Sequence, residues 1–376
     1  MRIALLCPDV SSNALVRTYP IAKVLERRHK LQVLGFRFGT DVFAPYRDEF
    51  TYQTLEARRL PAFLSQARDL ARHVHADAVY VFKPIASSLW VGLWARKIHR
   101  IPLILDIEDW ETGWYYDTPW QHRLRHLLHV ERPNGFFWTW LTEKAVHTAD
   151  EVFVVSRFLQ SRFGGTLLVH GADTSAFDPS RWRGAEARAR LGLPDGRYVV
   201  FAGTPHPRKG LEDLLDAAAL VGDAKLRVLV VGSFHRDDDY RRRLLDRHAE
   251  RLVMIGPRPH REMPLYLAAA DVVALPQRPS RASRAQVPGK LFEAMAMARP
   301  VLATAVSDLP EILDGCGVVV PTGAIDALAA GLAGLLERPD EAHDLGERAR
   351  RRCQTYYSWD AMEGVLAGRL AKWERS

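Results

Sequence analysis

The stretch Tyr198-Val199-Val200-Phe201-Ala202-Gly203-Thr204-Pro205-His206-Pro207-Arg208-Lys209-Gly210-Leu211 carries the pattern that decides the fold. Its β-branched and aromatic start predicts a strand at 198–202. A Gly- and Pro-rich loop follows, and at Leu211 the apolar spacing becomes helical. The same strand–loop–helix unit recurs on both sides. Downstream, strands are expected at 226–231, 252–255, 271–275, 300–304 and 318–320, with helices between them. Upstream, strands are expected at 2–6, 31–36, 78–82, 102–106 and 151–155, and helices at 14–28, 61–74, 85–98 and 141–148. Between 171 and 196 the rhythm breaks into Asp, Arg, Pro and Gly, which reads as a linker. The stretch 359–373 reads as a closing helix. Alternation of this kind implies parallel sheets covered by helices on both faces. The expected class is therefore α/β, with two Rossmann-like doubly wound domains of similar size facing across a cleft. Open sheets of this kind bind ligands at the carboxyl ends of their strands, so chemistry is sought in the loops that follow each strand.

Composition agrees with two domains. The chain has 376 residues, 47% apolar and 26% charged, which excludes a mainly disordered or fibrous protein. Lys and Arg number 52 against 45 Asp and Glu, a net charge of +7. Only nine of the cations are Lys. So mild an excess permits contact with an anionic surface without requiring one, and no nucleic-acid partner is expected. Cys7, Cys316 and Cys353 lie far apart and form neither a disulfide framework nor a metal-ligand spacing. They suggest a reducing compartment. The apolar run at 3–7 is too short for a signal peptide, and 85–95 is too short to span a bilayer. A cytoplasmic protein is expected.

Three segments from residue 170 onward invite chemistry. In the quoted loop, Arg208 and Lys209 beside a helix N-terminus suit a diphosphate, and Gly203 and Gly210 let backbone approach it. The same pair also fits a solvated helix start. The loop is not a Walker A sequence. In 286–300, Pro288-Gly289 starts a helix with Lys290 and Leu291 at its head and Glu293 one turn in. A carboxylate there suits a ribose diol, or simply the helix dipole. Lastly, His170-Gly171-Ala172-Asp173 forms a turn whose His reads best as a structural hydrogen-bonding group.

Together and in this order, these segments resemble glycosyltransferase family 4 of the GT-B fold. The matching residues are His170-Gly171-Ala172-Asp173, Gly203 with Lys209-Gly210, Glu293-Ala294-Met295-Ala296 and Pro300-Val301-Leu302-Ala303. Leu191-Gly192-Leu193-Pro194 and Ala270-Asp271 through Leu275-Pro276 also fit. The resemblance covers about residues 168–359. It implies a retaining transfer of a hexose from a nucleoside diphosphate sugar, with UDP or GDP as carrier. The acceptor would be a glycan, a lipid-linked or a small-molecule hydroxyl. It further implies a donor domain at 171–356 and an acceptor domain at 1–170, with a C-terminal helix at 357–376 crossing back onto the latter. Lys209 and Arg208 would neutralise the diphosphate with no metal and no cofactor, Lys209 acting in catalysis. Glu293 would hold the ribose, and Gly256 and Arg258 would lie near the base. Closure of the domains would exclude water. Two positions depart from the family: Thr204 stands where an Arg is usual, and Ala285 replaces the first of two Glu residues.

In the first half, Asp106-Ile107-Glu108-Asp109-Trp110-Glu111 follows a strand. Its acids are expected at the mouth of the cleft. Glu108 and Asp109 are candidate catalytic carboxylates, and Asp106 and Glu111 candidate acceptor ligands. Asn13, after the first strand, is a further acceptor candidate. His122, His126 and His129 have helical spacing, but Arg123, Arg125 and Arg132 would repel a metal ion. With Phe136-Phe137-Trp138-Thr139-Trp140, the stretch 120–140 reads either as a peripheral membrane contact or as a lid packed on its own core. Rivals to the transferase reading are a nucleotide-sugar epimerase or phosphorylase on the same fold, and a non-catalytic nucleotide-sugar binder.

Overall fold

The computed structural model describes residues 1–232, 234 and 238–374, with only the backbone of Leu124, Arg125 and Asp238. The chain divides into two compact units. The first comprises Met1–His170, Arg284–Gln286 and the stretch from Met362 onward. The second comprises Gly171–Ser283 and Val287–Ala361.

The first unit is built on β1 (Arg2–Cys7), β2 (Lys30–Arg37), β3 (Tyr52–Glu56), β4 (Ala78–Phe82), β5 (Leu103–Ile107), β6 (Glu151–Val154) and β7 (Thr166–Leu167). All pair in parallel, in the order β3-β2-β1-β4-β5-β6-β7. Every residue of β4 and β5 is buried, as expected of strands covered on both faces. The register sets Leu5 beside Val33 and Tyr80, and Phe82 beside Asp106. Helix Ala62–Arg72 buries Phe63, Ala67, Leu70 and Ala71, a spacing that turns one stripe to the sheet. Helix Trp359–Glu374 buries Met362, Leu366 and Leu370. Its Glu363 pairs with Arg27 and Arg28, and Arg369 and Lys372 close on Glu151 at 2.8 and 3.0 Å.

The second unit holds β8 (Arg197–Ala202), β9 (Leu226–Val231), β10 (Leu252–Met254), β11 (Val272–Leu275), β12 (Val301–Thr304) and β13 (Val318–Val320). Their order is β10-β9-β8-β11-β12-β13, again with parallel pairing throughout. In both sheets the chain winds one way from its first strand and then returns to the other side. The switch points lie between β1 and β4 and between β8 and β11. At a switch point neighbouring loops diverge and leave a crevice for a ligand.

Some details differ from expectation. Strands β3 and β7 were not anticipated. No residue of β3 is fully buried, and β7 has two residues, so neither carries a strong apolar signal. The expected linker at 171–196 contains helix Gly184–Arg190. Its Arg188 binds Ala269 O at 2.9 Å and Asp271 at 2.6 Å. Around 136–148 the helix is Phe136–Glu143, one turn earlier than the periodicity suggests. Residues 375 and 376, the end of the predicted C-terminal helix, lie outside the described residues.

Candidate functional site

In the second unit the loops after β8 and β11 flank the switch point, and they touch. The N–H of Arg278 donates to Arg208 O at 2.8 Å. A Cβ on Gly210 would lie 1.8 Å from Pro276 O, and Gly210 has φ +70°. Only glycine fits both the close approach and the left-handed backbone. The Arg278 guanidinium clamps Asp213, its Nε reaching Oδ2 at 2.8 Å, and so fixes the start of helix Leu211–Leu220. His206 caps the short turn Pro207–Lys209 by accepting from Arg208 N at 3.3 Å. Gly203 has φ +128°, and a Cβ there would sit 3.6 Å from Lys209 Nζ. Lys209 therefore folds back over the end of β8. On the other side a Cβ on Gly232 would meet Gly203 O at 2.2 Å. The crevice floor is bare backbone with one ammonium above it.

The β11 loop ends in helix Gly289–Ala296, which carries Lys290 and Glu293. Glu293 accepts a hydrogen bond from His260 Nε2 at 2.9 Å, and Lys290 Nζ lies 3.5 Å from its Oε2. Burial pushes its carboxyl up, but the Lys290 ammonium and His260 more than reverse this and hold it at about 2. Among the described residues Oε2 has no hydrogen-bond partner although it is buried. A buried charged oxygen without a donor is costly, and a ligand hydroxyl would supply one. His260, packed at a tilt against Phe177, was not anticipated from the sequence. Its only signal was a titratable group in the turn before a helix.

The other donor candidates lie in the same unit. Gly256, just beyond β10, has φ +80° with no atom within 4 Å of a built Cβ, and Arg258 is exposed. Leu291 is fully buried, and its N–H donates to Pro288 O at 3.0 Å. Ala285, at the position of the missing Glu, is buried in the apolar core of the first unit.

The first unit gathers its charge at its own switch point. Lys83 is the first residue after β4. Its Nζ lies 2.5 Å from Asp109 Oδ2, 2.9 Å from Glu111 Oε1 and 3.4 Å from Glu108 Oε1. The backbone of Lys83 is left-handed, φ +66°, a conformation that costs a non-glycine residue about 1 kcal/mol. Its N–H is tied to Asp106 O at 2.8 Å. Burial pushes Glu108 up to about 8, although Lys83 pulls against it. Burial also pushes Asp109 up, but Lys83 and the Gln286 amide, which donates to Asp109 Oδ1, win and lower it. Glu111 is raised by burial. Helix Glu111–Tyr116 is pinned behind it, where Glu143 accepts from Thr112 N at 2.8 Å and from Thr112 Oγ1 at 2.7 Å.

Asp106 corrects the expectation of four acids at one mouth. It is fully buried and receives Arg17 Nε and Nη2 at 3.0 and 2.9 Å and Tyr80 OH at 2.7 Å. It lies within β5, before the chain leaves the sheet, so it braces the floor and cannot meet an acceptor. Asn13 is exposed, and its carbonyl accepts from Val16 N at 3.1 Å.

Between β5 and β6 stands a helical insertion. Helix Trp120–Leu128 exposes Trp120 (64%) and Leu128 (75%), and Val130, Trp140 and Leu141 are also exposed. Arg132 faces solvent, and Lys144 lies 3.9 Å from the Trp140 ring centroid. His129 pairs with Glu131 at 3.1 Å and His126 packs edge-on against Tyr115. The Arg125 side chain lies outside the described residues. Among the described residues no helix is long and apolar enough to cross a membrane.

Two linked Rossmann-like sheets with polar groups at both switch points define a class, and solved structures share it. Sucrose-phosphate synthase from Thermosynechococcus elongatus superposes with a TM-score of 0.77 at 23% identity, over 99% of this chain and 98% of that one. Anabaena HepE in complex with UDP-glucose gives 0.77 at 20%, over 99% and 100%. The fold is that of the GT-B glycosyltransferases. Residues 196–338 match the family described as Glycosyl transferases group 1. The GDP-mannose-dependent alpha-(1-6)-phosphatidylinositol monomannoside mannosyltransferase of Mycolicibacterium smegmatis is 32% identical over 329 residues, 83% of this chain and 80% of that protein. A GDP-mannose-dependent monoacylated alpha-(1-6)-phosphatidylinositol monomannoside mannosyltransferase of Corynebacterium glutamicum is 30% identical over 306 residues, 78% and 76%. The chain belongs to the group 1 glycosyltransferase family and is a glycosyltransferase.

Proposed function

We propose that the enzyme transfers a hexose from a nucleoside diphosphate sugar to an acceptor hydroxyl, with retention at the anomeric carbon and without a metal ion. The observation that carries this reading is Glu293. It is a buried, charged carboxylate one turn into a helix at the switch point, with one oxygen lacking a donor and Lys290 beside it. A ribose diol supplies that donor. The adjoining Arg208, Lys209 and Lys290 place positive charge where a diphosphate would lie, and stabilise it as it leaves. Relatives named for GDP-mannose make GDP-mannose the first donor to test.

The second unit holds the donor and the first unit the acceptor. In the transfer the bond from C1 to the β-phosphate oxygen breaks and the acceptor oxygen bonds C1. The acceptor proton passes to Asp109, which Lys83 holds in its charged form. Glu108, which keeps its proton near neutral pH, donates a hydrogen bond to a second acceptor oxygen. The basic and apolar insertion rests on an anionic lipid surface, which suits an acceptor with a lipid tail. The protein works at the inner face of a membrane, as a peripheral partner.

Calorimetric titration with UDP, GDP, ADP and TDP tests the donor site. One diphosphate is expected to bind at micromolar strength, and Glu293→Ala and Lys209→Ala to lose it. No binding to any of the four overturns the reading. Sedimentation with phosphatidylglycerol–phosphatidylcholine vesicles, but not with phosphatidylcholine alone, is expected of the wild type and weakened by Trp120→Glu. Equal partition to both vesicles overturns the lipid contact.

A further inference from the structure

Lys83 belongs to no motif of the family resemblance, yet it lies at the switch point of the first sheet. Three carboxylates converge on its ammonium within 3.4 Å. Each side chain of the group is at most 16% exposed. The backbone holds Lys83 left-handed, and the Ser88 hydroxyl donates to its carbonyl at 2.8 Å. A lysine that only solvated a surface loop would need neither the burial nor the uncommon backbone.

We propose that Lys83 is a positioning residue for glycosyl transfer: its ammonium gathers Glu108, Asp109 and Glu111 and holds Asp109, the nearest of the three, where it meets the acceptor hydroxyl. This rests on the acceptor role given above to residues 108–111. The groups around Lys83 balance in a definite way. From the loop after β5 come Glu108 and Asp109, and from the start of helix Glu111–Tyr116 comes Glu111. Below them the Arg17–Asp106 pair is closed on itself. Gln286 occupies the other oxygen of Asp109, and His170 adds attraction from the end of the first unit. Glu143 stands behind Glu111 and repels it. One ammonium cannot neutralise three carboxylates: burial raises Glu108 and Glu111, while Asp109, nearest the ammonium, is lowered. The arrangement offers an acceptor one proton acceptor flanked by hydrogen-bond donors.

Carboxyl ¹³C titration by NMR of the ligand-free protein tests this without substrate. In the wild type Asp109 is expected to stay ionised below the ordinary carboxylate range, and Glu108 to titrate near 8. Lys83→Met should raise Asp109 by about one unit or more. Lys83→Gly, which suits the left-handed backbone, should do the same, and Lys83→Arg should restore the wild-type behaviour. An Asp109 titration that is the same with and without the ammonium overturns the proposal.

A second arm follows turnover of GDP-mannose with vesicles that carry phosphatidylinositol monomannoside. Lys83→Met should lower kcat about 100-fold and move the acid limb of the pH profile upward, while GDP affinity stays within about twofold. A pH-independent loss, or an unchanged kcat, overturns the positioning role. If the wild type neither binds a nucleotide nor turns over, the functional reading fails. If it does both and Asp109 ignores Lys83, this inference alone fails.

Discussion

At the scale of the residue, Glu108 makes a stability prediction with a definite sign. Its folded value of about 8 exceeds its ordinary 4.5. Between these values the native state holds a proton that the unfolded chain has lost. Its contribution is therefore fully present below 4.5 and is lost as pH rises through about 8. Urea unfolding of the wild type should show stability falling between pH 6 and pH 8.5, and Glu108→Gln should lack that part of the fall. A wild type whose stability rises over this window contradicts the buried, protonated carboxyl. Sequence alone could not rank the acids of 106–111. Asp106 and Asp109 are three residues apart in one loop-like motif, yet one sits in a strand under Arg17 and the other beyond the strand end under Lys83. The difference depends on where β5 stops, a boundary set by pairing with β6 rather than by local composition. Lys83 was open to detection: it is one of nine lysines in the chain and the first polar residue after an apolar run. What concealed it was the absence of a motif.

At the scale of the element, the second unit relies on two loops meeting backbone to backbone. Gly210→Ala adds a Cβ 1.8 Å from Pro276 O on a left-handed backbone, whereas Gly222→Ala meets nothing within 4 Å at a similar φ of +75°. Both variants carry the left-handed cost of about 1 kcal/mol, and only the first forces the loops apart. Gly210→Ala should therefore lose at least about 2 kcal/mol more than Gly222→Ala in denaturant unfolding, and its nucleotide affinity should fall with it. Equal losses would mean that the loops part freely. This site was the most legible in the sequence, because its function depends on local chain properties: glycines where backbone crosses and charges where a helix begins. The elements that escaped were those with weak local signals. Strand β3 lies at a sheet edge with half of its surface wet, and helix Gly184–Arg190 is short and polar. Both are fixed by what they pack against, such as the grip of Arg188 on Asp271.

At the scale of the whole molecule, the closing helix sets how far the two units depend on each other in sequence. Its Met362, Leu366 and Leu370 are buried, and its charged groups pair with Arg27, Arg28 and Glu151 of the first unit. A chain ended after Ala361 keeps the whole second unit and strips this cover. Losing three large apolar contacts should cost the first unit roughly 5 kcal/mol or more. Calorimetry of the truncated chain should show an early transition for the first unit and an undisturbed later one, with nucleotide binding retained. A single unshifted transition would show that the helix contributes little. The helix was legible from its apolar spacing at 359–373. Which sheet it covers was implied by the family resemblance and not by the spacing, because a stripe of Met and Leu is complementary to any apolar face.

The shared ownership of the first unit also has a consequence for biosynthesis. Its sheet lies wholly within the first 170 residues, but the unit also takes in Arg284–Gln286 and the segment from Met362 onward. A ribosome that has released those 170 residues has delivered every strand of one sheet without the last pieces that cover it. The second unit, made later, needs nothing beyond Ala361. The usual N-terminal-first order of domain completion is thus inverted: the part translated first is finished last, and its apolar flank waits through nearly two hundred residues of synthesis for the tail to arrive.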